Sequence, residues 1–131
     1  YGALLLASYD PNSDTFQSIC KVGTGFSDQD LELIYNELKN YVVKEKQSNV
    51  ITNTKMDIWF KPKLVLEVIA SEITLSPSHT AALGLIRDNF GLALRFPKYS
   101  GKIRYDKNPE DSTNSDELIN LYKRQIKSNK S

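Results

Sequence analysis

Asp10-Pro11-Asn12-Ser13-Asp14, five turn formers in a row, separate two apolar stretches near the start of the chain. Pro11 has a fixed φ and no N–H, and the Asn, Asp and Ser side chains bond back to their own backbone. Neither a helix nor a sheet interior can run through such a segment. Residues 3–9 and 16–22 are therefore expected to be antiparallel strands of one hairpin. Similar punctuation recurs downstream. Pro62 closes a short apolar element at 58–60, and residues 64–75, rich in β-branched side chains, read as a long central strand. Ser76-Pro77-Ser78 turns the chain, and 91–96 and 102–105 read as two further strands around Pro97 and Gly101. Residues 44–55 are polar and read as loop.

Two segments switch to helical spacing. Leu31, Ile34, Leu38 and Tyr41 share one face, behind Ser27 as N-cap and Asp28 and Asp30 in the first turn. Phe26 and Leu31 are spaced for a hydrophobic staple, and the helix is expected to fade near Val43. Asn114 can cap a second helix with Asp116 and Glu117 in its first turn. Its apolar face is Leu118, Tyr122 and Ile126, and Lys123, Arg124 and Lys127 lie towards its C-terminal end. Short strands with one internal and one C-terminal helix give a mainly β domain, a small closed or half-closed barrel. Strand count alone admits an SH3-like barrel as well as an OB-fold.

Charge narrows the function. The formal net charge is +1, but residues 1–94 hold 8 basic and 11 acidic side chains, and residues 95–131 hold 9 and 5. Arg95, Lys98, Lys102, Arg104 and Lys107 face only Asp106 across one short stretch, a stripe suited to a phosphate-bearing partner or a solvated charge run. No apolar run approaches the roughly 18 residues of a membrane helix. Cys20 has no partner for a disulfide, and no Cys/His cluster has metal-ligand spacing, so no metal site and an intracellular, reducing setting are expected. The chain starts on Tyr1, directly before a strand, as a piece cut from a longer protein would.

Arg95-Phe96-Pro97-Lys98, followed by Lys102-Ile103-Arg104-Tyr105-Asp106-Lys107-Asn108-Pro109-Glu110, resembles the last nucleotidyltransferase motif of ATP-dependent DNA ligases, R-F-P-R … R-x-D-K-x-P-E. Other strings agree with it in order: Tyr1-Gly2-Ala3-Leu4-Leu5-Leu6-Ala7-Ser8-Tyr9-Asp10, Cys20-Lys21-Val22-Gly23-Thr24-Gly25-Phe26-Ser27-Asp28, Trp59-Phe60-Lys61-Pro62, and Leu75-Ser76-Pro77-Ser78-His79-Thr80. The resemblance covers nearly the whole chain and is nearest to the archaeal and eukaryotic replicative type. It implies an OB-fold domain over 1–131, with the adenylation and N-terminal DNA-binding domains outside this chain. One position departs from the pattern: Lys98 stands where the family usually has Arg, which turns a bidentate grip on phosphate into a point-charge contact.

What the resemblance implies about chemistry is specific. A lysine on the adenylation domain attacks the α-phosphate of ATP, pyrophosphate leaves, and cations in line with it stabilise the growing charge. Arg95, Lys98, Arg104 and Lys107 would supply those cations, with Asp106 orienting one of them, as this domain closes over the nucleotide. A plain surface pair between Arg104 and Asp106 is the competing reading. Phe96 would enter the minor groove beside a nick as an apolar wedge, or else be an ordinary core residue. Lys21, Gly23, Thr24 and Lys102 would contact DNA, the glycines letting the backbone approach a phosphate. The implied partners are nicked duplex DNA and the adenylation domain of the same polypeptide, with any sliding clamp contacted through other domains and no membrane. ATP and magnesium would serve the whole enzyme, neither held tightly by this domain alone. The setting would be cytoplasmic in an archaeon and nuclear in a eukaryote.

Alternatives remain at this level. Tyr99 and Tyr105 alternate with basic residues, as in a nonenzymatic OB module that stacks single-stranded bases. The OB domain of an RNA ligase or capping enzyme is a third option, against which the Phe96-Pro97 pair speaks. Lys55-Met56-Asp57-Ile58 lacks the glycine of the K-x-D-G nucleophile motif, so the isolated domain is expected to be inactive. His79 and Cys20 are read as structural.

Overall fold

A computed structural model describes residues 2–129, with side chains through Ser128; Tyr1, which opens the first of the family-like strings, lies outside them. The hairpin forms as expected. β1 (Leu4–Asp10) pairs antiparallel with β2 (Thr15–Val22), from Leu4 opposite Val22 to Asp10 opposite Thr15. Asp10 organises the turn by accepting from the Asn12 N–H at 3.2 Å and the Ser13 hydroxyl at 2.6 Å. Helix α1 (Asp28–Leu38) starts at a capping box: Ser27 accepts from the Asp30 N–H at 3.0 Å, and Asp30 accepts from the Ser27 N–H at 2.9 Å. It ends earlier than its apolar spacing suggests, passing into a 3-10 turn at Lys39–Tyr41.

Two short strands follow, β3 (Val42–Val43) and β4 (Val50–Ile51). The polar 44–55 stretch is thus not wholly loop: β4 adds to β2 in parallel, Phe16 opposite Val50. Two residues are too few for a periodic signal, and the pairing is set by the partner strand. β5 (Trp59–Phe60) pairs with β3.

The expected long strand over 64–75 is two strands. β6 (Leu66–Ile69) pairs with β9 (Lys98–Ile103), and β7 (Glu72–Ser76) pairs with β8 (Gly91–Arg95), so the chain changes partner at Ala70-Ser71. Strand propensity reports that a segment is extended and says nothing of which neighbour it pairs with. β9 likewise begins at Lys98 instead of residue 102. Leu66 faces Ile103 while Val68 faces Tyr99, so β9 carries extra residues in a bulge around Gly101, whose φ is +99°.

Helix α2 (Ser115–Asn129) starts behind Asn114, which accepts from the Glu117 N–H at 2.9 Å. Leu118 is buried and Tyr122 half-buried, but Ile126 is exposed. Its expected place is taken by Gln125, whose amide donates to the Ile73 carbonyl and accepts from the Ile73 N–H, both at 2.7 Å. That contact satisfies a backbone pair on the outer edge of β7.

The result is mainly β with two helices, consistent with an OB-fold, although the ladders among the described residues form four separate groups and not one closed barrel. Two apolar clusters fill it. One holds Ile19, Cys20, Ile73, Leu92 and Leu118; the other holds Val22, Ile34, Leu38, Tyr99 and Ile103, and Leu6 touches both. Beside β1, which is an outer strand of its sheet, an apolar cavity of about 780 Å³ opens towards Trp59, Phe60 and Leu66. No helix among the described residues is long and apolar enough to cross a membrane.

Candidate nucleic-acid interface

β8 ends at Arg95 and β9 starts at Lys98, so Phe96 and Pro97 form the whole connection between two strands of different sheets. A residue before proline is disfavoured in the right-handed helical region. Phe96 adopts φ +52° and is 71% exposed, so it is no core residue. A left-handed aromatic residue costs about 1–3 kcal/mol, and it persists only where neighbours hold it.

The neighbours are well defined. Ser71 donates to the Arg95 carbonyl from its N–H at 3.0 Å and its hydroxyl at 3.1 Å. The Arg95 guanidinium bonds Glu72 Oε1 at 2.8 Å and lies 4.9 Å from the Phe96 ring centroid. On the other side, Thr24 Oγ1 donates to the Pro97 carbonyl at 3.2 Å, and the Thr24 carbonyl accepts from the Tyr99 N–H at 2.9 Å. Gly25, at φ +89°, sits so close to Lys98 and Tyr99 that a Cβ there would collide with the Tyr99 carbonyl. The Gly23-Thr24-Gly25 loop and the Phe96 turn are therefore packed together. Lys98 and Lys21 are exposed and take no part in an ion pair among the described residues.

The remaining cations sit elsewhere. Lys98 stands opposite Ile69 and Ile103 opposite Leu66, so Lys98 and Ile103 are three steps of β6 apart, roughly 10 Å, and Arg104 is one residue further. Arg104 and Asp106 form a two-bond fork, Nε to Oδ1 at 2.9 Å and Nη2 to Oδ2 at 2.8 Å, on the exposed surface. Bonding from Arg104 lowers the Asp106 carboxyl to about 2, and the same contact raises Arg104. The Arg104 N–H donates to the Val65 carbonyl at 2.8 Å, which fixes the backbone there. Lys107 Nζ reaches the Asp111 carbonyl at 3.5 Å, against the 3-10 turn Pro109–Asp111. Lys102 is exposed between the two groups, and its charge also favours the ionised Asp106.

The other residues singled out in the sequence meet the structure here. Tyr99 is only 2% exposed and stacks on Phe26 with ring centroids 4.8 Å apart, so it cannot serve a row of base-stacking aromatics. Tyr105 is exposed, and its hydroxyl donates to Glu37 at 3.2 Å. Cys20 is buried, which pushes its thiol up to about 12. His79 Nδ1 lies 3.2 Å from the Ser18 hydroxyl; burial first, then the charge of Lys21, lowers its pKa. Lys55 is exposed in the loop after β4. Sequence reasoning missed Ser71 and Glu72 entirely, because their tie to Arg95 exists only through the β7–β8 register that sets Glu72 opposite Arg95.

Exposed lysines fit an anionic polyphosphate or a DNA backbone. A divalent cation fits less well: among the described residues no three His, Cys, Asp or Glu side chains group as a metal site. Comparison with known proteins bears on both. Residues 1–107 match the family described as the ATP dependent DNA ligase C terminal region. The DNA ligase of Nitrosopumilus maritimus is 54% identical over 127 residues, 97% of this chain and 22% of that protein. The DNA ligase of Pyrobaculum neutrophilum is 50% identical over the same shares, and DNA ligase 2 of Thermofilum pendens is 50% identical over 97% of this chain and 21% of its own length. The chain thus spans about a fifth of the length of these relatives.

Proposed function

Since the chain belongs to the family of ATP-dependent DNA ligase C-terminal regions, we propose that it is the OB domain of such an enzyme, binding nicked duplex DNA and closing over an adenylation domain of the same polypeptide. The whole of residues 1–131 acts as one such domain, with the nucleophilic lysine supplied from outside it. The observation that carries this reading is Phe96, an aromatic ring 71% exposed and held in a left-handed turn beside exposed Lys98 and the Thr24 loop. An apolar ring flanked by cations suits a minor groove, where the ring meets base edges and the cations meet phosphates.

The separation of Phe96 and Lys98 from Arg104 and Lys107 at opposite ends of β9 supports a division of labour. Phe96, Lys98, Lys21, Gly23 and Thr24 serve DNA at one end. Arg104 and Lys107 serve the departing pyrophosphate at the other, once Asp106 has oriented Arg104, and Lys102 lies between. Arg95, already engaged by Glu72, holds the turn in this state and is not a free cation. Magnesium, bound to ATP and to groups outside this chain, would lower the charge of the phosphates; the residues here contribute cations only. The enzyme would act where the cell keeps its DNA, and any sliding clamp would meet other domains.

Burial of Tyr99 weighs against a single-strand stacking module. Titration of nicked duplex and single strands at several salt concentrations tests the reading. If Lys21, Lys98 and Lys102 neutralise about three phosphates, the log–log salt slope on duplex is near −3. A clear preference for single strands would refute it.

A further inference from the structure

The exposed ring of Phe96 needs a fixed direction if it is to enter a groove, and nothing in a two-residue connection supplies one by itself. The supply comes from the neighbouring strand pair. Glu72 stands opposite Arg95 as the last rung of β7–β8, and Ser71 follows it outwards. Ser71 takes the Arg95 carbonyl with two hydrogen bonds at 3.0 and 3.1 Å, while Glu72 takes the Arg95 guanidinium at 2.8 Å. Main chain and side chain of Arg95 are thus both fixed, one residue before the ring. The guanidinium that Glu72 holds is also the group against which the ring rests, 4.9 Å from its centroid. Downstream, Thr24 fixes the Pro97 carbonyl. Phe96 is clamped on both sides.

The geometry points to Glu72, with Ser71, as a positioning residue that aims Phe96 at DNA by way of Arg95. This inference rests on the DNA-contacting role of Phe96 proposed above. Glu72 is acidic and would repel a phosphate backbone if it faced one. Paired with Arg95, its charge is neutralised, and the pair presents a flat, nearly neutral support under the ring. Arg suits this position and Lys does not, because a planar guanidinium can pair with a carboxylate at its edge while resting its face on an aromatic.

A double-mutant cycle in the full-length ligase carrying this domain tests the inference, with self-adenylation and sealing of a pre-adenylated nick measured separately in single turnover. Glu72→Gln is expected to slow sealing by roughly tenfold, and far less to slow self-adenylation. Combined with Phe96→Ala, it is expected to add little to the loss caused by Phe96→Ala alone. Independent, multiplying losses would overturn the clamp, as would equal damage to both steps together with a lowered melting temperature. Arg95→Lys, which keeps the ion pair but gives up the flat support, is the second variant; it should share the sealing defect, and wild-type sealing would again overturn the proposal. The two readings fail differently. Should Phe96→Ala itself seal at the wild-type rate, the DNA-contacting role of Phe96 fails and takes the clamp with it. Should Phe96→Ala be impaired and Glu72→Gln not, the clamp alone fails.

Discussion

Arg104 faces Asp106 across two hydrogen bonds, Nε to Oδ1 at 2.9 Å and Nη2 to Oδ2 at 2.8 Å. Bidentate geometry of this kind fixes the plane of the guanidinium as well as its position. The pair is solvated, so its value lies in orientation more than in stability.

The pair gives a pH signature. Asp106 ionises at about 2 in the folded chain, below the ordinary carboxylate range, because Arg104 bonds to its charged form. A depressed carboxylate contributes stability that is present above the unfolded value near 4 and is lost as pH falls towards 2. Carbon-detected NMR titration of the Asp106 carboxyl should find a midpoint near 2, moving up in Arg104→Met. An unshifted midpoint in the wild-type chain would show that the fork does not form in solution.

In the full-length enzyme, Arg104→Ala is expected to slow self-adenylation by roughly 100-fold, the scale of removing one aligned charge stabiliser. Phe96→Ala should instead act on the sealing of a pre-adenylated nick. Single-turnover assays of each step separate the two. Equal damage by both substitutions to both steps would mean only that the domain unfolds.

Gly25 and Gly101 both have positive φ, yet only Gly25 is crowded. Gly25→Ala should destabilise the domain by about 2 kcal/mol or more, and Gly101→Ala by about 1 kcal/mol from backbone strain alone. Thermal melts give the order. Gly25→Ala should also weaken duplex binding, because the collision pushes the Thr24 loop off Pro97 and Tyr99. Equal melting temperatures would contradict the close approach.

His79 lies close enough to Lys21 to sense its charge. Burial and then Lys21 hold its pKa below the ordinary value, so it stays neutral at physiological pH. Stability linked to it is present above about 6.5 and falls as pH drops towards the lowered value. Proton NMR of its single imidazole should show the midpoint rising in Lys21→Ala. It should rise too when duplex DNA binds, if a phosphate offsets the lysine charge. A midpoint indifferent to DNA would remove Lys21 from the interface.

Much of this molecule is legible in its sequence because much of it is local. The Asp10–Asp14 hairpin, the Ser27 N-cap and the Asn114 cap each depend on residues a few positions apart, and each forms as read. Failures occur where pairing is distant. Residues 64–75 gave no hint of changing partner, since Leu66 and Ile73 have the same local character but face Ile103 and Leu94. The candidate site divides likewise. Its family motif located Arg95 to Lys107 as a unit, but Tyr99 and Lys98 look equally available in sequence, and only packing against Phe26 buries the former. Glu72 was invisible because its meaning is the residue across the ladder from it.

The two apolar clusters share the β1–β2 hairpin, with Cys20 in one, Val22 in the other and Leu6 against both. β6 and β9 belong with one, β7 and β8 with the other, and the chain passes between them at Ala70-Ser71 and again at Phe96-Pro97. These crossings are tied to each other by the hydrogen bonds from Ser71 to Arg95. A shift of the chain at Ala70-Ser71 would therefore be passed directly to the residue before Phe96, so the two places where the chain changes cluster cannot move independently.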